Sequence, residues 1–359
     1  ETGFTKTDNA VEYIRTVGGV SEVDYTISNH FIYDEKIFAA YVNASKQWKR
    51  IGFQAGLRGE TTRSLGNQLG NALQPATEFL RTYNNLFPTS YLSYQLDSAG
   101  SHQLVLDYGK RINRPYFQDL NPFLSPLDKF TFYSGNPYLN PSFSHTISLS
   151  HSFKNFLTTT VSYGKSVGGI NETLEIRNGI YYSRPGNIGR SDVYNLSMNA
   201  TIPWTKGFTT NIYAEGGHLR YLSKLYTQKL DTRGNYVFAR ATNMFQFGKG
   251  WSGEFTAQYI SNYVAAQVTS GDVGHFSTGV KKRVLDGKGS VKLSLSDMFY
   301  TRKFRGVINN LSQTTATYHS TVDSRVLAFT FNYRFGKSLG EQRRHDGNSA
   351  DSEKNRVKG

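Results

Sequence analysis

Hydrophobic and polar side chains alternate strictly near the end of the chain, from Val326 to Phe335. An extended segment there would carry large apolar side chains on one face and small or polar ones on the other. The first set is Leu327, Phe329, Phe331, Tyr333 and Phe335, and the second is Ala328, Thr330, Asn332 and Arg334. Because successive side chains of a β-strand point to opposite faces, this period of two predicts a strand with one apolar, aromatic side.

The same alternation recurs along most of the chain. It is found at 51–58, 146–153, 194–202, 251–259 and 290–296, and none of these segments fits the spacing of a helix. Their polar positions are rich in Ser, Thr, Asn, Gln and Gly, whereas the outward faces of a β-sandwich mix charged residues. The segments are also longer than ordinary sandwich strands. The pattern therefore predicts an all-β protein whose apolar faces meet lipid and whose polar faces line a wet lumen.

The connections between these segments alternate in length. Six are tight, at 49–50, 97–101, 154–155, 203–207, 248–250 and 286–289, and six are long, at about 64–87, 113–142, 167–190, 221–235, 262–275 and 301–323. A membrane barrel sorts its connections in this way, with short turns in the periplasm and longer loops outside. We therefore predict an antiparallel transmembrane β-barrel, a meander of roughly 14 strands. The first strand is expected near Glu22 to His30 and the last at Phe335.

Composition removes several other classes of protein. The 359 residues include 24 Tyr, 24 Phe and 34 Gly but no Cys, which excludes a disulfide framework and a thiol nucleophile. No apolar run is long enough for a transmembrane helix. The net charge of +14 is spread over strands, turns and tail, and no nucleic-acid-binding module accompanies it. We therefore expect contacts with outer-membrane lipid and no nucleic-acid partner.

The two ends of the chain differ from the alternating part. Residues 1–21 are expected to be a lead-in without a signal-peptide pattern, in a mature or truncated chain, and Glu1–Gly3 is a candidate cloning scar. Residues 22–336 are assigned to the barrel. Residues 337–359 are polar, charged and without periodicity, and they are predicted to form a disordered tail.

One long connection, from Asn113 to Ser142, is rich in proline and aromatic residues. Its five prolines predict a structured loop at the outer end of the strands. Its aromatic residues are candidate ligand contacts, because aromatic faces bind sugar rings or organic chelates. They are Tyr116, Phe117, Phe123, Phe130, Phe132, Tyr133 and Tyr138. In the alternative interpretation, the loop packs on itself and braces the rim.

This region contains sequence motifs that are too specific to be expected in every β-barrel. The run KRINRPYFQDLNPF at 110–123, followed by GNPYLNPS at 135–142 and YRFG at 333–336, resembles the C-terminal barrel of TonB-dependent outer-membrane receptors of the Bacteroidetes type. The resemblance runs from about Asp24 to the end. It implies a 22-stranded parent barrel, a plug domain that contacts TonB, and import of a scarce nutrient such as a siderophore-like chelate or a glycan. We expect this chain to be the C-terminal portion of such a receptor, without its plug and with about two thirds of its strands.

Catalytic motifs are not found in the sequence. No G-x-S-x-G, H-E-x-x-H, P-loop or EF-hand pattern occurs, so we expect no enzyme, metal site or cofactor. His145 and His151 share a strand face and could bind a metal only with ligands from a neighbouring strand. Glu172 and Glu175 would point to opposite faces of a strand, which disfavours paired acid–base work. A passive porin or an adhesin stays open as an alternative to the receptor.

Overall fold

The computed structural model describes residues 1–154, 156–225, 228–311, 314–335 and 356. Fourteen strands form an open antiparallel meander in which consecutive strands pair with each other. They are β1 (Thr2–Val11), β2 (Asn29–Trp48), β3 (Ile51–Leu69), β4 (Thr77–Gln95), β5 (His102–Asn113), β6 (Ser142–Phe153), β7 (Leu157–Arg177), β8 (Ile180–Thr205), β9 (Phe208–Leu225), β10 (Gln228–Gly248), β11 (Trp251–Ile260), β12 (Val273–Val284), β13 (Gly289–Ser296) and β14 (Val326–Tyr333). The predicted antiparallel meander of roughly 14 strands is confirmed.

The apolar positions of neighbouring strands lie opposite one another and form a continuous belt. From β3 to β10 this apolar belt consists of Phe53, Leu92, Leu106, Leu149, Val161, Leu196 and Val237, with Gly216 in the row between the last two. The seven large side chains are exposed. A soluble sheet would cover such a row, whereas lipid covers the outer face of a barrel.

The opposite face is polar and tightly fitted. Asn43, Gly56 and Thr89 lie in one row across β2, β3 and β4, and a Cβ added at Gly56 would overlap the Asn43 and Thr89 side chains. Nearer the other end of the same strands, Gly66 lies between Tyr33 and Phe79, and a Cβ there would overlap the Phe79 ring. Glycine therefore makes room on the inner face for larger neighbours.

All six predicted tight turns connect consecutive strands at one end of the wall. Three of them place a lysine in the left-handed region, with φ of 43° at Lys49, 49° at Lys154 and 49° at Lys249. A positive φ twists a two-residue turn to match the strands that it joins. We refer to this end as the tight-turn end and to the other as the long-loop end.

The prediction of six long loops is partly wrong, because several of those segments are strand. β7 and β8 continue to Arg177 and from Ile180, so only Asn178 and Gly179 connect them, both with positive φ. β3 and β4 likewise leave only residues 70–76 between them. Above the apolar belt, apolar residues of these hairpins such as Phe79 and Leu80, or Tyr181 and Tyr182, follow one another instead of alternating with polar ones. The period of two therefore disappears from the sequence while the backbone ladder continues.

The first strand also lies elsewhere than predicted. Residues 2–11, assigned to a lead-in, form β1 and pair with β2 from Phe38 to Asn29. The predicted segment near Glu22 to His30 instead contains the end of a short hairpin, Ile14–Val17 with Val20–Val23, and the beginning of β2. Phe4 is the one large apolar residue on the outward face of β1 between Thr2 and Ala10, so no alternation marked this strand. The predicted tail, 337–359, lies outside the described residues apart from Arg356.

The buried cores lie at the long-loop end. One comprises Phe31, Tyr33, Phe117, Leu120 and Leu139. A second comprises Ile188, Leu225, Leu230 and Ala266. Beside the second core, the short strands Tyr263–Ala265, Val268–Ser270, Lys303–Leu311 and Thr314–Thr321 form a separate antiparallel sheet. The loops are therefore folded structures with their own interiors.

The described helical segments are short. They are α1 (Phe117–Leu120) and a 3₁₀ turn (Leu285–Gly287), and no described helix is long and apolar enough to cross a membrane. In the described residues, the outer edges of β1 and β14 pair with no other strand.

We predict that Leu196→Arg destabilises the folded barrel by roughly 2–4 kcal/mol, because it places a charge against lipid in the apolar belt. The measurement is the free energy of unfolding in phospholipid vesicles, followed by tryptophan fluorescence. Asn199→Arg is the matched control, because Asn199 lies on the inner face of the same strand and is exposed there. Equal destabilisation by the two variants would contradict the assignment of the two faces.

We predict that Gly66→Ala destabilises the barrel by roughly 1–3 kcal/mol, because the added methyl group must displace the Phe79 ring. Gly109→Ala is the control, since a Cβ there would lie 4.0 Å from the nearest Thr89 atom. Urea unfolding in detergent would compare the two. A Gly66→Ala variant as stable as the Gly109→Ala variant would contradict the close packing.

Candidate functional site

The segment Asn113–Ser142, here called the signature loop, folds back against the inner face of the wall. After β5 it forms α1, two short strands at Leu124–Pro126 and Thr131–Ser134, and then enters β6. Phe117, Leu120 and Leu139 from this loop are buried against Phe31 and Tyr33 of β2. The prediction of a structured loop is therefore confirmed. The sequence had not predicted that this loop lies over the lumen.

A buried ion pair fixes the beginning of the signature loop to the wall. The Arg114 guanidinium binds the carboxylate of Glu60, which lies on the inner face of β3, and both side chains are more than nine-tenths buried. Glu60 also accepts from Arg58 Nη2 at 3.0 Å, and Arg114 donates to Thr62 Oγ1 at 3.4 Å. Losing one member would leave a charge without its main partner in a buried site, so the pair holds the loop in one position.

A second arginine fixes the end of the loop. Arg81, on the inner face of β4, donates from Nη2 to the Pro137 carbonyl at 2.9 Å and from Nη1 to the Leu139 carbonyl. Its guanidinium lies 4.9 Å from the centre of the Phe79 ring. Loop carbonyls that would otherwise be buried without donors are thereby satisfied by the wall.

The DLNPF motif forms its own hydrogen-bond network. Asp119 is buried and accepts from the Tyr133 hydroxyl at 3.1 Å. Asn121 Oδ1 accepts from Asn29 of β2 at 2.7 Å and from the Phe123 backbone amide at 3.2 Å. Burial and the neighbouring Asp119 carboxylate raise the pKa of the Tyr133 hydroxyl, which therefore remains a donor.

The GNPYLNP motif connects the loop to the β7–β8 hairpin. Gly135 passes so close to the Asn121 carbonyl that a Cβ would overlap it. Asn136 Nδ2 donates to the Pro185 carbonyl at 3.2 Å. The backbone N–H of Asn140 donates to Asn187 Oδ1 at 2.9 Å, and Asn187 Nδ2 donates to the backbone carbonyl of Asn140 at 2.8 Å. The glycine and asparagines of the motif thus form the close contacts and hydrogen bonds that hold the loop in one position.

The seven candidate aromatic residues divide into two groups. Phe117 is core, which corrects its assignment as a ligand contact. Phe123 and Phe132 stack on Tyr13 and Tyr182, with ring centres 5.7 and 5.9 Å apart, and Tyr133 is held by Asp119. The others are exposed: Tyr116 by 43 %, Phe130 by 58 % and Tyr138 by 73 %. Most of the aromatic content braces the loop, and ligand contact stays a prediction for the exposed three.

Cavities lie on both faces of the wall. One of about 1010 Å³ opens on the inner face below the signature loop, and its lining includes Arg58, Lys110, Arg111 and Arg114 against Glu1 and Glu60. Basic groups therefore outnumber acidic ones in the lumen next to the loop. A depression of about 530 Å³ on the outer face is lined by Leu106, Leu149, Val161 and other belt residues, which places it against lipid.

The other residues singled out from the sequence lie on strands of the wall. His151 Nε2 is 3.1 Å from Nδ1 of His102 on the next strand, and His145 Nδ1 is 2.9 Å from the Tyr108 hydroxyl. In the described part of the chain, no three His, Cys, Asp or Glu side chains converge as metal ligands. Glu172 and Glu175 lie on β7.

Comparison with known proteins decides the family. The profile of the outer membrane protein beta-barrel family matches residues 1–333. The chain belongs to this family. The protein is accordingly one of the bacterial outer membrane, and its predicted localisation is confirmed. No curated protein matches the chain.

Several solved receptors share the fold of this outer-membrane barrel. The ferric yersiniabactin uptake receptor FyuA from Yersinia pestis has a TM-score of 0.63 at 10 % identity, with 93 % of this chain and 50 % of that chain covered. The ferric-catecholate import receptor Fiu from K12 E. coli has 0.63 at 12 %, with 93 % and 51 % covered. The siderophore receptor PiuA from Acinetobacter baumannii has 0.62 at 11 %, with 92 % and 52 % covered. This chain spans about half the length of each.

These neighbours are barrels of TonB-dependent receptors, so the resemblance inferred from the signature motifs is confirmed at the level of fold. Among them, FyuA is an uptake receptor and Fiu an import receptor. At such low sequence identity, the structural similarity supports a shared fold and nothing further.

The sequence did not indicate which wall residues would hold the loop. Glu60 lies in a stretch of mixed polar residues, and Arg81 and Asn187 lie in segments predicted as loops. One signal was available: Arg114 is a charged residue within a proline-rich aromatic loop, and such a charge needs a buried partner if the loop is folded.

We predict that Arg114→Ala releases the signature loop at a cost of about 3 kcal/mol, because Glu60 stays buried without its main partner. Limited proteolysis within residues 113–142 would measure the release, while heat-modifiable migration would show that the wall remains folded. Arg184→Ala is the control, since Arg184 forms a partly exposed ion pair with Glu175, for which about 0–1 kcal/mol is expected. An Arg114→Ala loop as resistant to protease as the control would contradict the role of the pair.

Proposed function

We propose that the chain is the barrel wall of an energised receptor that imports a scarce nutrient, a siderophore-like chelate or a glycan, across the outer membrane. The signature loop is the observation that carries this proposal. It is fixed over the lumen by buried contacts and still presents Tyr116, Phe130 and Tyr138 to solvent. Exposed aromatic rings on a rigid support suit capture of a solute at the mouth of a barrel.

The partners proposed are outer-membrane lipid, a plug domain and the TonB system. Lipid contact is supported by the exposed apolar belt. Further strands are supported by the open edges of β1 and β14 in the described residues, because an unpaired strand edge cannot be left in lipid. The receptors with this fold are about twice as long as the chain, which leaves length for further strands and for a plug.

A passive porin fits the signature loop less well. A porin needs an open lumen, whereas here the loop covers part of the inner face and is anchored to it at both ends. Such a cover suits a solute that is first bound and then admitted.

Uptake assays in the native bacterium test the proposal. Cells that carry the full-length receptor should accumulate the limiting nutrient only while the proton-motive force is intact, and an uncoupler should abolish accumulation but not surface binding. Accumulation that proceeds equally with the uncoupler would contradict energised transport and favour a porin.

We predict that the double variant Phe130→Ala, Tyr138→Ala binds the nutrient about tenfold more weakly, because two exposed aromatic faces are lost. Equilibrium binding to whole cells would measure the change. Leu127→Ala is the control, since Leu127 is an equally exposed apolar residue of the same loop. Unchanged affinity in the double variant, or an equal loss in the control, would remove these rings from the site.

A further inference from the structure

A small cavity lies between the signature loop and the β7–β8 hairpin. Its volume is about 200 Å³, and its lining includes Tyr116, Asp119, Tyr133, Asn171, Glu172 and Pro185. The hydrogen bond between Asn136 and the Pro185 carbonyl holds its two walls together, at 3.2 Å. The cavity is thus part of the fixed structure at the long-loop end and not a gap between independent loops.

The polar groups in this cavity are mixed donors and acceptors. Glu172 accepts from the Ser183 hydroxyl, and Asp119 accepts from the Tyr133 hydroxyl at 3.1 Å. An ionised carboxylate has about four lone-pair positions, so Glu172 can accept hydroxyl donors besides Ser183. The amide of Asn171 can both donate and accept. Neighbouring hydroxyls of one ligand ring could therefore be bound from two sides.

The apolar groups in the cavity include flat rings beside the aliphatic side chain of Ile170. The Tyr116 ring is 43 % exposed, and the rings of Pro115 and Pro185 also line the space. A sugar ring has hydroxyls around its edge and C–H groups on its faces. A lining that combines ring faces with carboxylates and an amide matches that distribution.

Size and charge exclude the other class of nutrient from this cavity. A volume of 200 Å³ equals about seven waters at ~30 Å³ each, and it falls below the ~300–1000 Å³ typical of drug-sized ligands. An iron chelate built from several donor groups is too large. The Asp119 and Glu172 carboxylates would also repel an anionic one, and the Arg114 guanidinium in the wall is bound to Glu60.

We propose that this cavity binds a single neutral pyranose ring, so that the receptor recognises one sugar unit of a glycan. The inference rests on the proposed function and selects the glycan from its two classes of nutrient. Tyr116 would form the stacking platform, Glu172 would accept from ring hydroxyls, and Asn171 would contact the ring edge.

Saturation-transfer NMR on the full-length receptor in detergent tests the proposal, with glucose, galactose, mannose and N-acetylglucosamine as probes. At least one should receive saturation, and its apparent affinity should fall about tenfold in Tyr116→Ala and in Glu172→Gln. Leu127→Ala is the matched control, because Leu127 belongs to the same loop, is exposed, and does not line the cavity. Heat-modifiable migration would show that each variant is folded.

The outcomes separate this inference from the proposed function. If no probe binds, or if the two cavity variants bind like the control, the sugar site is overturned. Energised uptake of an iron chelate by the same cells would then leave the proposed receptor function standing. If sugar binding is lost in the cavity variants but accumulation ignores the uncoupler, the sugar site stands and energised import falls.

Discussion

Backbone hydrogen bonding in lipid is the constraint on which the rest of the structure depends. No water is available in the bilayer core, so every amide and carbonyl must be satisfied within the protein. The meander does this with a continuous antiparallel ladder from β1 to β14. Once the ladder is fixed, side chains can only alternate between lipid and lumen. The exposed belt through Leu106, Leu149 and Val161 and the crowded inner rows at Gly56 and Gly66 both follow from it.

The inner face shows a different balance of forces. Charges that would be intolerable toward lipid are used there to attach the signature loop to the wall. Glu60 and Arg81 lie on strands, and their partners lie in the loop. A hydrophobic cluster around Tyr33 and Phe117 adds burial to these directional contacts. Ionic contacts fix where the loop sits, and the apolar cluster supplies surface removed from water.

Much of the wall could be predicted from the sequence, because lipid imposes a period of two. The strand at Val326–Tyr333, the tight turn at Lys49 and the meander itself follow from that rule. The rule fails above the apolar belt, where apolar and polar residues no longer alternate, and β1 and the upper β7–β8 hairpin were therefore assigned to a lead-in and to a loop. The signature loop was predictable as a folded loop from its prolines. Its orientation was not, because it depends on the non-local partners Glu60, Arg81 and Asn187.

The strands are long enough for lipid contact and solute recognition to take place at different heights of the wall. β8 has 26 residues, which at ~3.3 Å per residue and a tilt of ~40° gives a height of about 65 Å, against an apolar band of about 25 Å. The upper hairpins therefore extend the wall beyond the lipid headgroups, and the exposed rings of the signature loop lie at the same height. Residues at that height contact the solute and do not contact lipid. Substitutions there can therefore change ligand recognition during evolution without disturbing the lipid-facing part of the wall.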